Sequence, residues 1–178
     1  MPFVEFAVND VDAIAIGRSA DQGFDPLPRL LCDEMLVQLG HWLRAAGYDT
    51  LIAHRRAQDR SLVARAMIDD RILLTRDHKL REIRDAARCT ILLHGERIDA
   101  WVREITPRLR IDWLARPFSR CLVCNTVLQP APDLARARLP PAVLEAVAEI
   151  NYCRQCDKLY WAGGHVRRML RQLEVWQR

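Results

Sequence analysis

Three absences bound this 178-residue sequence first. No apolar run approaches the roughly 18 residues that a membrane-crossing helix needs. The opening MPFVEFAVNDVDA has neither a basic leader nor a continuous apolar stretch, so no secretory signal is read and a cytosolic setting is expected. No Gly-rich phosphate loop, no GxSxG and no HExxH occurs, which argues against NTPase, esterase and zincin chemistry. Internal repeats and extended low-complexity segments are missing too. Lysine is nearly absent: only Lys79 and Lys158 accompany the arginines among 27 basic residues.

What remains is a chain with half its residues hydrophobic and 28% charged, the balance of a globular protein with a real core. Its net charge of +4 hides a gradient. Residues 1–28 carry Glu5, Asp10, Asp12, Asp21 and Asp25 against Arg18 alone, while the rest of the chain is basic. Guanidinium groups present a planar fork suited to phosphate, so a basic body is compatible with nucleic acid. Genomic base composition can enrich arginine equally well.

Residues 1–28 hold one possible strand, FVEFAV, and form a short acidic arm or edge element. From Arg29 the pattern turns α/β. RLLC reads as a strand, followed by Met35, Leu36, Leu39, Trp42, Leu43 and Ala46 at helical spacing, with Gly47 just past the end. DTLIA is a second strand. A helix after Asp59 places Leu62, Val63, Ala66 and Met67 on one face. RILLT is a third strand, and Asp77 opens a helix HKLREIRDAA. CTILLH is a fourth strand, and ERIDAWVREI a helix stopping near Pro107. Strands alternating with helices of this length imply βαβ units around a parallel sheet. The character changes near Arg116, giving an expected α/β domain over 29–115 and a second module over 116–178. In that module PPAVLEAVAEI is a helix, KLYW a strand, and GGHVRRMLRQLEVW a last helix with Val166, Met169, Leu170, Leu173 and Trp176 inward.

The second module has two CxxC pairs, Cys121 with Cys124 and Cys153 with Cys156, separated by 28 residues. Two residues between cysteines is the spacing at which a tight turn aims both thiolates at one tetrahedral ion. A structural zinc ribbon is expected, its long gap filled by the helix. The rivals are redox pairs, which usually follow a βαβ strand as these do not, or reduced core thiols. The module is too small to be held by its own core, so the metal should supply much of its folding free energy. His165 is read as a helix-start or surface residue. Cys32 and Cys89 fall in predicted strands and read as buried packing residues.

Asp33, Asp59 and Asp77 share one kind of position: after a strand, before a helix. Carboxyl ends of parallel strands line the ligand crevice of an open sheet. Three carboxylates there repel one another unless a divalent cation is present, and hard oxygen donors favour Mg²⁺ or Mn²⁺. Aspartate is equally a strong N-cap, and both roles can coexist on one side chain. Glu34 is either a fourth ligand or an acid favoured by the helix dipole. Asp49 should lie on the opposite rim, while Asp69, Asp70 and Asp85 read as surface acids. Arg76, His54 and His78 are candidate substrate contacts near the acid rim.

CDEMLVQLGHWLRAAGYDT, QDRSLVARAMIDDRILLTRDHKL, the two CxxC knuckles and YWAGGHVRRM, in that order, resemble the Mut-seven C-terminal RNase family. The resemblance runs from about Arg29 to the last helix. It implies a PIN-like Rossmannoid three-layer fold with a central parallel sheet, a C-terminal zinc ribbon, and metal-dependent hydrolysis of RNA. On it, Asp33, Asp59 and the acid of the TRD motif, Asp77, are the catalytic Mg²⁺/Mn²⁺ ligands. Relatives can carry a ubiquitin-like amino-terminal domain, for which residues 1–28 are too short, and PIN nucleases often have a fourth acid, which has no clear counterpart here. Rival readings are a non-catalytic RNA- or ribosome-binding adaptor on a degenerate PIN fold, and the nuclease half of a toxin–antitoxin pair.

Overall fold

Residues 27–53 and 59–178 are described in a computed structural model of the chain. The FVEFAV segment and His54 lie outside them. Four short strands, β1 (Leu30–Cys32), β2 (Thr50–Ile52), β3 (Ile72–Thr75) and β4 (Thr90–Leu92), form one sheet in the order β2-β1-β3-β4. Every pairing is parallel, with Leu31 opposite Leu51 and Leu73, and Leu74 opposite Ile91. The central strands read as unbroken apolar runs because both faces of a parallel sheet are covered.

Alternation along those runs builds the layers. Leu30, Cys32 and Leu74 point into one core with Leu36, Leu39, Leu43, Trp101 and Ile105. Leu31 and Leu73 point the other way, onto Leu62, Val63, Ala66, Leu80 and Ala86. Successive side chains of a strand face opposite sides, so one strand feeds both cores. The first layer contains α1 (Val37–Ala45) and α3 (Ile98–Leu109), and the second α2 (Asp59–Ile68) with 3₁₀ turns His78–Glu82 and Ala86–Arg88. The expected α/β class with a central parallel sheet is therefore present, in an arrangement that fits a PIN-like fold.

Two glycines set the helix approach. A Cβ on Gly40 would come within 2.6 Å of the Ile52 side chain, so α1 sits close on β2 and a larger residue there would force Ile52 to move. Gly47 has φ +97, closing α1 as expected for a C′ residue.

Several expected elements differ in detail. The stretch after Asp77 is not one helix but two 3₁₀ turns, parted where Ile83 is extended and Asp85 left-handed (φ 66). The helix entering α1 begins as a 3₁₀ turn, Glu34–Leu36, which turns Met35 outward. Met67 is also exposed, on the edge of α2 rather than its buried face. Cys89 precedes β4 instead of lying in it, half-buried. α3 runs through Pro107 to Leu109 and closes on left-handed Arg110, whose N–H reaches the Thr106 carbonyl. A proline in the last turn removes one backbone donor without ending the helix there.

The cysteine-bearing region contains an antiparallel sheet of β5 (Gln129–Pro130), β6 (Ile150–Cys153) and β7 (Lys158–Trp161). Between β5 and β6 stand two short helices, α4 (Asp133–Arg136) and α5 (Pro141–Ala146). α5 is shorter than its sequence suggests, because Val147 turns extended and Ile150 pairs with Trp161 in β6 and β7. The last helix, α6 (Gly164–Gln177), packs into the core of the large sheet. Its Met169 and Leu173 belong to the first core of the large sheet, and Trp176 meets Trp42 edge-on at 4.8 Å. The expected boundary near Arg116 thus separates elements that share one core. Among the described residues no helix is long and apolar enough to cross a membrane.

Candidate active site and metal centre

In the order β2-β1-β3-β4, the chain runs from β1 to β2 on one side and then crosses back to β3 on the other. Such a reversal opens a crevice at the carboxyl ends of the two central strands. Asp33 follows β1 directly. Its backbone is extended (ψ 175), and its Oδ1 accepts the Met35 N–H at 2.8 Å, capping the first 3₁₀ turn. Its Oδ2 accepts the Thr75 hydroxyl and, at 3.1 Å, the Arg76 N–H. Asp33 is 4% exposed. Burial raises its proton affinity above the ordinary carboxylate range, more than these hydrogen bonds lower it. Among the described residues no basic side chain forms an ion pair with it.

Asp77 lies two residues past β3, across the crevice. Its N–H donates to Thr75 Oγ1 at 2.9 Å, and its Oδ1 accepts the Lys79 N–H at 2.9 Å, capping the second turn. One hydroxyl, Thr75 Oγ1, therefore joins the two acid positions. It was legible only as the first letter of TRD, a hydroxyl at the last position of a strand. Asp59 is the first residue of α2 and half-buried. Among the described residues the group placed to hold a metal ion is the four knuckle cysteines, whose ligand atoms all lie within 4.8 Å of one another; Asp33, Asp59 and Asp77 are not part of it.

Glu34 is exposed in the first 3₁₀ turn. Asp49 lies on the opposite rim, as expected. There it accepts from Arg29, Arg71 and Asn125. Asp69 takes a hydrogen bond from Arg65 at 2.7 Å, and Asp70 and Asp85 are exposed. On the acid rim, Arg76 lies over the Trp101 ring at 5.5 Å, and the rings of His78 and His94 are 6.2 Å apart. His94 was not singled out from sequence. Just past β4, its Nδ1 is 3.2 Å from Glu104 Oε1, which also accepts from Arg108 at 3.0 Å.

The four cysteines come together from two hairpin turns. Cys121 and Cys153 are buried, Cys124 and Cys156 half-buried, and Cys124 Sγ lies 3.4 Å from Cys153 Sγ. A tetrahedron of thiolates at about 2.3 Å from zinc has sulfur–sulfur edges of about 3.8 Å, so the cluster fits a closed structural site. Burial and the neighbouring thiols push Cys153 and Cys156 up. At Cys124 burial also raises the value, but hydrogen bonds with Thr126 and the other cysteines bring it down to about 6. Four sulfurs this close cannot all ionise without a cation among them, and a soft donor set of this kind suits zinc. His165 is exposed in the first turn of α6.

The first knuckle is bound to the large sheet. Arg44 of α1, 4% exposed, donates to the carbonyls of Leu122 (2.9 Å) and Val123 (2.7 Å) and to Thr50 O (2.8 Å). Asn125 follows Cys124 in a left-handed conformation and accepts the Thr50 N–H at 3.0 Å while donating to Asp49 at 2.7 Å.

Against known protein families, residues 28–173 match the model of the Mut7-C RNAse domain. Comparison with curated proteins and with solved structures gave no match.

Proposed function

This chain belongs to the Mut7-C RNAse domain family, and from that premise we propose that it hydrolyses RNA phosphodiester bonds at the rim formed by Asp33, Asp59 and Asp77. The observation that carries the reading is the linkage of Asp33 to Asp77 through Thr75 at the β1/β3 crevice. A buried carboxylate with no base paired to it among the described residues, set beside a second acid, offers hard oxygen donors to Mg²⁺ or Mn²⁺. Such ions commonly use one or two carboxylates and keep several waters, so the three acids need not touch one another. When bound, the ion supplies Lewis-acid assistance to water and to the phosphate. Asp33 is held in one rotamer by its three hydrogen bonds, so it presents a fixed ligand edge. Arg76, Lys79 and the other cations of this face hold phosphate. The zinc ribbon fixes the first layer of the sheet and adds basic surface for RNA or a partner.

A second reading is an RNA- or ribosome-binding adaptor without catalysis. Both Asp33 oxygens already accept hydrogen bonds, which favours it. Cleavage of single-stranded RNA by the purified chain with Mn²⁺ decides between them. The ribonuclease reading expects cleavage that stops with Asp77→Asn. Equal cleavage by that variant removes the acidic site, and binding without cleavage under every divalent ion selects the adaptor.

A further inference from the structure

A groove of about 690 Å³ runs between α2 and the 3₁₀ turn His78–Glu82. Arg60, Lys79 and Arg84 line it against one acid, Glu82, with Met67 and Ile83 among its apolar walls. None of the three cations is engaged in an ion pair among the described residues. The groove also adjoins the acid rim at two points. Arg60 directly follows Asp59 at the start of α2, and the Lys79 N–H donates to Asp77 Oδ1 at 2.9 Å.

Its chemistry is mixed in a specific way. A cluster of cations with one acid suits a polyanion. Met67, 47% exposed at a position whose spacing predicts burial, adds a large polarisable apolar contact beside them. Phosphate has no use for that contact, whereas the face of a nucleobase does. Bases in an A-form duplex are paired and stacked, so their faces are covered; only an unpaired strand offers both groups at once.

We propose that this groove seats an unpaired stretch of RNA entering the acid rim, with its phosphates on Arg60, Lys79 and Arg84 and a base against Met67 and Ile83. The identity of the ligand as RNA rests on the ribonuclease reading; the groove's preference for single strands rests on its own lining. Charge selects the backbone, and the apolar wall selects against duplex.

The test is fluorescence anisotropy with the full chain and a labelled short RNA, single-stranded or annealed to its complement. No divalent metal is added, and the RNA is checked intact afterwards. The Arg60→Ala/Lys79→Ala double variant should bind the single strand at least ten-fold more weakly at low salt, with a salt slope shallower by about 1.4, at roughly 0.7 per lost phosphate contact. Arg60→Lys/Lys79→Arg should restore both. Met67→Ser should weaken single-strand binding several-fold and leave duplex binding unchanged. Unfolding midpoints matching wild type establish that these variants fold.

A double variant with wild-type affinity and slope overturns the proposal. So does a Met67→Ser effect equal on single strand and duplex, or displacement of the RNA by polyglutamate as readily as by unlabelled single strand, which marks an acidic-peptide site. Cleavage with Mn²⁺ is measured in parallel. If wild type cleaves and the groove variants bind as it does, the groove assignment fails and the nuclease reading stands. If wild type never cleaves but the binding pattern holds, the nuclease reading fails and the groove stands.

Discussion

Arg44 donates to the Val123 carbonyl at 2.7 Å, so a buried cation on α1 holds the backbone between Cys121 and Cys124. The same guanidinium reaches Leu122 and Thr50. One side chain thus ties a cysteine knuckle to β2 and to the helix that starts beside Asp33.

Removing it should be costly. Arg44→Ala leaves three carbonyls without this donor and a cavity in a packed region, so a loss of about 3 kcal/mol is expected. Urea unfolding followed by far-ultraviolet circular dichroism measures it. Arg44→Lys should recover only part, because a single ammonium cannot reproduce the fork. A loss under about 0.5 kcal/mol, the size of an ordinary surface substitution, would show that the link carries no stability.

The cysteine cluster predicts about one zinc per chain, as a single four-thiolate site requires. Elemental analysis of protein purified without added metal checks the stoichiometry. Cys153→Ser should lower the unfolding midpoint and abolish bound zinc, since ligation and folding of such a module are one process. Folded wild type with no zinc refutes the assignment.

Asp33→Asn and Asp77→Asn should each reduce RNA cleavage at least about 100-fold, the scale on which loss of a preorganised electrostatic group acts. Thr75→Val should act more mildly on rate but cost about 1–3 kcal/mol of stability, because it leaves Asp33 Oδ2 and the Asp77 N–H short of a partner. Activity and unfolding midpoints measured side by side separate the two effects.

Two carboxylates predict opposite pH behaviour. At Asp49 burial raises the proton affinity, but hydrogen bonds from Arg71 and Asn125 outweigh it and hold the group at about 2. Its contribution to stability is therefore complete above the ordinary carboxylate value near ~4 and disappears as pH falls toward about 2. Asp33 is raised, so its contribution is complete below ~4 and is lost as pH rises through its folded value. Urea midpoints across this range should fall more at the acid end for wild type than for Asp49→Asn. Toward neutrality wild type should lose stability relative to Asp33→Asn, and Mn²⁺ should reverse that loss in wild type alone. Parallel profiles for all three proteins would remove both assignments.

Much of this architecture was readable in the residues. The strand–helix alternation from Arg29 onward follows from apolar spacing, and the paired CxxC knuckles meet as their local turn geometry requires. Strand order was not readable, because alternation gives the parallel units without saying which strands are neighbours. Periodicity also placed Met35 and Met67 inward, and both are exposed: the first because the chain enters α1 through a 3₁₀ turn, the second because it borders a groove. The turns after Asp77 escaped because left-handed Asp85 interrupts a pattern that otherwise suits a helix. Thr75 and His94 act through partners distant in sequence, Asp33 and Glu104, which no local pattern connects. Asp33 and Asp77 stand just beyond strand ends, where their place in the sequence put them.

The placement of α6 has a consequence for how the protein is made. Met169 and Leu173 fill the core beneath strands that begin at Leu30. A chain emerging from the ribosome exposes the whole parallel sheet before it exposes the helix that covers one side of it. The cysteine knuckles precede α6 in the chain, and Arg44 ties the first of them to the sheet. A metal bound there would steady, through Arg44, an apolar surface whose last layer is α6.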